Sequence, residues 1–143
     1  MNPVDFTEQV VIRLPHTDAM GVIFYPRLFE LEQDLFEKWL EAGEFSLRSM
    51  LDGSLAPTPV VHCDGDYQIP VRVGDRLAAQ LKAVEIGRSG FTLSWQLILD
   101  GKIAMQTRVK RVAIDTKSGG SVGLPEALKK WLVHSQTQIA RKV

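Results

Sequence analysis

Residues 26–42 read Pro26-Arg27-Leu28-Phe29-Glu30-Leu31-Glu32-Gln33-Asp34-Leu35-Phe36-Glu37-Lys38-Trp39-Leu40-Glu41-Ala42. Leu28, Leu31, Leu35 and Trp39 recur at the spacing of one helix face, and Phe29, Phe36 and Leu40 widen it into a broad stripe. Pro26 stands where a helix begins, because the N–H it lacks would have no intrahelical acceptor there. Gly43 is a natural stop. The spacing predicts a helix over 26–42, the most apolar long element of the chain. A helix of this kind packs deep against a sheet.

On its N-terminal side, residues 4–14 alternate. Val4, Phe6, Val10, Ile12 and Leu14 fall on one face and Asp5, Thr7, Gln9 and Arg13 on the other, with Glu8 the one misfit. Period two predicts a half-buried strand. Pro15-His16-Thr17-Asp18-Ala19-Met20-Gly21 then reads as a loop. On the C-terminal side, 43–59 is irregular, with a short helix near Leu47–Leu51, and closes at Pro57-Thr58-Pro59. Strands are expected at 60–69, 76–86, 90–99 and 102–115. Asp100-Gly101 is a strong hairpin signal, and Gly87-Arg88-Ser89-Gly90 is another tight connection, so these strands are antiparallel neighbours. After the loop Ser118-Gly119-Gly120-Ser121, Pro125 opens a helix over 125–140, with Leu128, Trp131, Leu132 and Ile139 on its apolar face. This order indicates an α+β fold with helices on one face of a five-stranded antiparallel sheet. Neither a repeat nor a linker is visible, so 1–143 is expected to be one domain. An open sheet has two edges to cover, and self-association would cover them.

Composition narrows the function. The chain has 143 residues, with 17 Lys and Arg against 17 Asp and Glu, for a formal net charge of zero. Zero balance argues against nucleic acid as a partner and against a polybasic membrane anchor. A single cysteine cannot form an internal disulfide. No apolar run is long enough to span a membrane, and Met1–Asp5 lacks the start of a signal peptide. A soluble cytoplasmic protein is the expectation.

The common phosphate-loop, dinucleotide, nucleophile-elbow and zinc-helix motifs are absent. Cys63 adjoins His62, but neighbours on a strand point to opposite faces, so Cys63 is expected to be a small buried filler. His62, Asp64 and Asp66 share a face. Nothing fixes a fourth ligand, so no metal site is expected and a polar face is the simpler reading. His62 is kept as a candidate pocket residue.

The loop ahead of the helix is more informative. Asp18 lies among Ala19, Met20, Gly21, Val22, Ile23 and Phe24. A carboxylate in apolar surroundings suits general-base or nucleophile work. Gly21 permits close backbone approach, and the helix start offers free N–H groups to a developing oxyanion. An Asp that merely caps a turn explains the same residues, and both readings stand on the residues alone.

The run from His16 to Glu30 (His16-Thr17-Asp18-Ala19-Met20-Gly21-Val22-Ile23-Phe24-Tyr25-Pro26-Arg27-Leu28-Phe29-Glu30) resembles the signature of hotdog-fold thioesterases of the 4-hydroxybenzoyl-CoA thioesterase type. The element order over about 5–115 is similar too, as are Pro59-Val60-Val61-His62 and Val73-Gly74-Asp75-Arg76-Leu77. The Pro-x-Val-His segment most resembles the 1,4-dihydroxy-2-naphthoyl-CoA thioesterases. The resemblance implies a hotdog fold, in which a five-stranded antiparallel sheet wraps one central helix, here with a C-terminal helix added. It implies hydrolysis of an acyl-CoA, no bound cofactor, and sites built between two subunits, hence a homodimer at the minimum, with a homotetramer expected. Asp18 takes the catalytic carboxylate position, Gly21 the loop glycine, and Tyr25 the aromatic residue whose backbone N–H holds the thioester oxygen. The second polarising amide falls near Ala56–Thr58. Pro57 has no N–H, a departure that leaves Thr58 to supply an amide or a hydroxyl.

His16 is a further candidate, in contact with substrate or orienting the loop. Arg88, with Arg72, Arg76, Lys110 and Arg111, could meet CoA phosphates, although surface charge explains each of them. Glu32 and Asp34 are read as structural or solvent-facing, and Trp39, Trp95 and Trp131 as core or interface anchors. An aliphatic acyl-CoA or acyl-carrier-protein thioesterase, a non-catalytic acyl-CoA-binding hotdog protein, a hotdog dehydratase and a plain structural dimer are the alternatives. No His–acid pair of a dehydratase can be placed.

Overall fold

The computed structural model describes residues 6–141. Its elements are β1 (Thr7–Val11), a 3-10 turn (Leu14–His16), α1 (Arg27–Ala42), α2 (Leu47–Leu51), β2 (Val60–Tyr67), β3 (Arg76–Ile86), β4 (Gly90–Leu99), β5 (Lys102–Val112) and α3 (Glu126–Ala140). The five strands form one antiparallel sheet in the order β1-β3-β4-β5-β2.

The periodicities account for most of this. β4 alternates strictly, with Phe91, Leu93, Trp95 and Leu97 buried. The β4–β5 turn falls at Asp100-Gly101, where both residues have positive φ (51° and 78°), the conformation that matches the twist of a two-residue hairpin. α1 starts after Pro26 and ends at Gly43, and it buries Leu28, Leu31, Leu35, Phe36, Trp39 and Leu40. Each side chain of that size gains roughly 1.5–3 kcal/mol on burial, so the helix is held by its packing. Gly43 has a second reason to be glycine, because a Cβ there would come within 2.6 Å of the Trp131 ring. α3 is tied down by three hydrogen bonds: Trp39 Nε1 donates to Ser135 Oγ (3.0 Å), Trp131 Nε1 to the Trp39 carbonyl (3.1 Å), and Gln136 Nε2 to the Val84 carbonyl (2.9 Å). Trp39 and Trp95 are buried and Trp131 is half-buried.

Three expectations are corrected. The first strand is shorter than 4–14. Positions 4 and 5 lie outside the described residues, and at the other end Pro15 cannot donate to a ladder and turns the chain. Leu14 is therefore 73% exposed instead of facing the core. Cys63 is exposed, not buried. β2 is an edge strand, paired on one side only, and its first four residues are exposed. Arg111 is only 1% exposed and cannot reach a phosphate. On β5 it shares the inward face with Thr107 and Val109, and its guanidinium forms a two-pronged pair with Glu32 (2.6 and 3.1 Å). Glu32 is thus structural, as expected, while Asp34 is exposed.

Candidate active site

The chain leaves β1, makes the 3-10 turn and enters a tight loop closed by a bridge between Thr17 and Ile23. His16 shapes its entry: its Nδ1 accepts the Arg13 N–H (2.9 Å) and its carbonyl accepts the Phe24 N–H (2.8 Å). Asp18 heads the loop. Its Oδ1 accepts the Met20 N–H (2.8 Å), its carbonyl accepts the Gly21 N–H (3.0 Å), and its own N–H reaches the Val22 carbonyl (3.1 Å). Gly21 has φ +81°, which a side chain would strain. Arg72 closes over it, with its Nη1 3.4 Å from the Gly21 carbonyl. Ile23 N–H to Val71 carbonyl (2.8 Å) anchors the loop to the segment ahead of β3.

Asp18 is exposed within the chain, and so are Met20, Phe24 and Tyr25. The apolar enclosure expected around the carboxylate is not supplied by this chain. Tyr25 sits just before α1. Its carbonyl accepts the Tyr67 hydroxyl at the end of β2, whereas its N–H meets no acceptor among the described residues. An exposed carboxylate and an unused helix-terminal N–H therefore stand at the two ends of one short loop.

Thr58 lies elsewhere. The Pro57 and Pro59 carbonyls accept N–H groups from Ile114 and Val112 (both 3.1 Å). Residues 57 and 59 thus point their backbone groups toward β5, and by strand alternation the backbone N–H of Thr58 points away, to the open edge. Prolines suit the two flanking positions, which give only carbonyls. The Thr58 side chain is buried, with Oγ1 3.9 Å from Met50 Sδ. The outward group is the amide, not the hydroxyl. From Val60 to Tyr67 the strand covers about 23 Å at ~3.3 Å per residue, and Tyr67 is the residue that touches Tyr25. One chain therefore does not bring Thr58 to Asp18.

His62 and Arg88 fall at the Thr58 end. Gly65 faces α1, since a Cβ there would meet Leu28 and Phe29. His62, Asp64 and Asp66 consequently face the other side of the sheet. His62 Nε2 pairs with Asp64 Oδ2 (3.0 Å), which Arg108 Nε also approaches (3.4 Å). Arg88 is exposed in the β3–β4 turn, where its carbonyl accepts the Leu124 N–H (2.9 Å). Among the described residues no group of three His, Cys, Asp or Glu is placed to hold a metal, and no helix is long and apolar enough to cross a membrane. Tyr67 is not among the candidates that the sequence offers. Its period-two distance from Gly65 is the signal that puts it on the α1 face.

A model of the thioesterase-like superfamily matches residues 12–132. The chain belongs to that superfamily. This thioesterase-like protein is 31% identical over 126 residues to the 1,4-dihydroxy-2-naphthoyl-CoA hydrolase of Synechococcus sp. strain CC9605, with 85% of each chain covered. It is also 31% identical over 129 residues to the enzyme of that name from Synechococcus elongatus, covering 90% of this chain and 95% of the relative. The crystal structure of a 1,4-dihydroxy-2-naphthoyl-CoA thioesterase from Synechocystis has the same fold, with a TM-score of 0.84 at 21% identity over 90% of this chain and 95% of that one. The thioesterase-like chain has the hotdog architecture and is a thioester hydrolase.

Proposed function

We propose that the protein hydrolyses an aromatic acyl-CoA, 1,4-dihydroxy-2-naphthoyl-CoA first among the candidates, at a site shared by two copies of the chain. The observation that carries the site is the pairing in one loop of an exposed Asp18 carboxylate, held by the Met20 N–H, with an unused Tyr25 N–H at the start of α1. The acyl group is supported by the names of the two 31% identical relatives, which match over most of the chain.

In this reading the thioester carbonyl oxygen accepts the Tyr25 N–H, and the outward Thr58 N–H of the partner copy supplies the second hydrogen bond. Both donors strengthen their bonds as charge develops on that oxygen. Asp18 attacks the carbonyl carbon or takes a proton from the water that does. The C–S bond breaks and CoA leaves as the thiolate and is protonated; on the general-base route the water oxygen is already in the released acid, and on the nucleophilic route a water then cleaves the Asp18–acyl anhydride to release the acid and restore the carboxylate. An acyl group trapped on Asp18 after rapid quenching identifies the nucleophilic route. The partner also covers the exposed Met20, Phe24 and Tyr25, excluding water and strengthening every charge in the site. Pairing through the open β2 edge, where Val60 and Val61 are exposed, removes a free strand edge. Arg88 lies at the rim of the shared site, within reach of CoA phosphate. His16 orients the loop, and His62 lines the Thr58 end.

The test is thiol release from a panel of aromatic and aliphatic acyl-CoAs, with Asp18→Asn alongside. The parent releases CoA fastest from the aromatic substrates, and Asp18→Asn loses about 1,000-fold or more in kcat, several kcal/mol of barrier. A panel left intact defeats the hydrolase reading, and an Asn variant as fast as the parent defeats the assignment of Asp18.

A further inference from the structure

The buried Glu32–Arg111 pair is used neither by the chemistry above nor by solvent contact. Both side chains are 2% exposed. Arg111 donates Nη2 to Glu32 Oε1 (2.6 Å), Nη1 to Glu32 Oε2 (3.1 Å) and Nη2 to Gln33 Oε1 (3.2 Å), and its guanidinium carbon lies 3.7 Å from the centre of the Phe36 ring. An ion pair so far from water is costly to form, and well-packed apolar residues would hold a core equally well. What apolar contacts lack is direction. A planar fork on a carboxylate fixes rotation and slide of the helix against the strand.

The position of the pair gives that direction a use. Glu32 sits in the second turn of α1, whose start carries the Tyr25 N–H and the Asp18 loop. Arg111 is the register partner of Val60, and the next residue, Val112, donates to the Pro59 carbonyl. These contacts set the Pro57–Pro59 segment that turns the Thr58 N–H outward. One side-chain fork therefore connects the Asp18 and Tyr25 half of the site to the Thr58 half. We propose that Glu32 and Arg111 are positioning residues that fix the spacing between the two half-sites of a chain, so that each meets its complement on the partner copy. This inference rests on the shared site proposed above. The pair never touches substrate; it sets where two oxyanion donors stand, and misplacement by about 1 Å is enough to cost a large factor in rate.

The test compares the parent with Glu32→Met/Arg111→Met, which removes both charges and leaves none unpaired, and with Arg111→Lys, which keeps the charge and loses the fork. Thermal unfolding, kcat and KM for the best acyl-CoA of the panel, and amide hydrogen exchange of peptides spanning 22–30 and 56–62 are measured. The double variant unfolds near the parent's temperature, its kcat falls about tenfold with KM within about twofold, and both peptides exchange faster. Arg111→Lys falls between the two. A double variant with parental kcat and parental exchange overturns the proposal. Should the double variant not fold, Arg111→Lys decides in the same way, parental kcat and exchange overturning it. A parent that hydrolyses no acyl-CoA instead defeats the functional reading, and the exchange of the two peptides still decides whether the pair positions them.

Discussion

Gly21 is the residue at which backbone conformation and the proposed chemistry coincide. Its φ of +81° is open to glycine and strained for alanine. Gly21→Ala should lose about 1–2 kcal/mol of stability, seen as a midpoint several degrees lower in thermal unfolding, and should lower kcat as the Asp18 turn distorts. Tyr67 makes a pH-dependent contact. Burial, helped by nearby Tyr25 and Cys63, holds its hydroxyl above the ordinary tyrosine pKa of 10.0. The neutral form is therefore the one the folded state favours, and only that form donates to the Tyr25 carbonyl. This contribution is complete below pH 10.0 and is lost as pH rises through the raised value. Denaturant midpoints of Tyr67→Phe should consequently fall less steeply than the parent's between pH 9.5 and 11. Ser135 accepts the buried Trp39 N–H. Ser135→Ala should cost about 1–3 kcal/mol in urea unfolding, because the indole donor keeps its burial and loses its partner.

At the scale of elements, legibility followed regularity. α1 and β4 were readable because every inward position obeys one period. Pro26, Gly43 and the Asp100-Gly101 turn marked boundaries that the structure keeps within a residue. The alternation of the first strand runs on to Leu14, past the end of β1 at Val11, because the turn imposed by Pro15 overrides the side-chain pattern. The exposure of Cys63 is not legible locally, because residue type carries no information on whether a strand is central or at an edge; that depends on the sheet order. Glu32 and Arg111 are 79 positions apart, and nothing local in the chain announces that they meet. Within the site, the Asp18 loop is legible as a segment, whereas the outward Thr58 amide emerges only from the backbone pairing of two flanking prolines with Val112 at the end of β5 and Ile114 just beyond it. Packing of α1 gives a further prediction: Leu35→Ala, at a site 1% exposed, should destabilise by about 2–5 kcal/mol in denaturant unfolding.

For the whole molecule, the decisive arrangement is that the candidate site residues lie at two ends of the sheet. Asp18 and Tyr25 belong to the end where β2 finishes, and Thr58 and Arg88 to the end where it starts. If two copies exchange these halves, two inactive variants should rescue one another. Asp18→Asn and Thr58→Pro, the latter lacking the amide hydrogen, should each be nearly inactive alone. Mixed and re-equilibrated in equal amounts, they should recover roughly a quarter of parental activity, because half of the dimers are mixed and each of these has one intact site. No recovery after verified subunit exchange would mean that each chain acts alone.

The exposed thiol of Cys63 has a practical consequence. It is the sole cysteine of the chain and sits on the β2 edge. A thiol-reactive dye used to follow CoA release will therefore also react with the enzyme, giving an offset of one equivalent per accessible chain before any turnover. That offset is a built-in gauge. Its amplitude counts chains, and if a partner strand covers the edge as proposed its rate should slow, so one progress curve would record both catalysis and assembly.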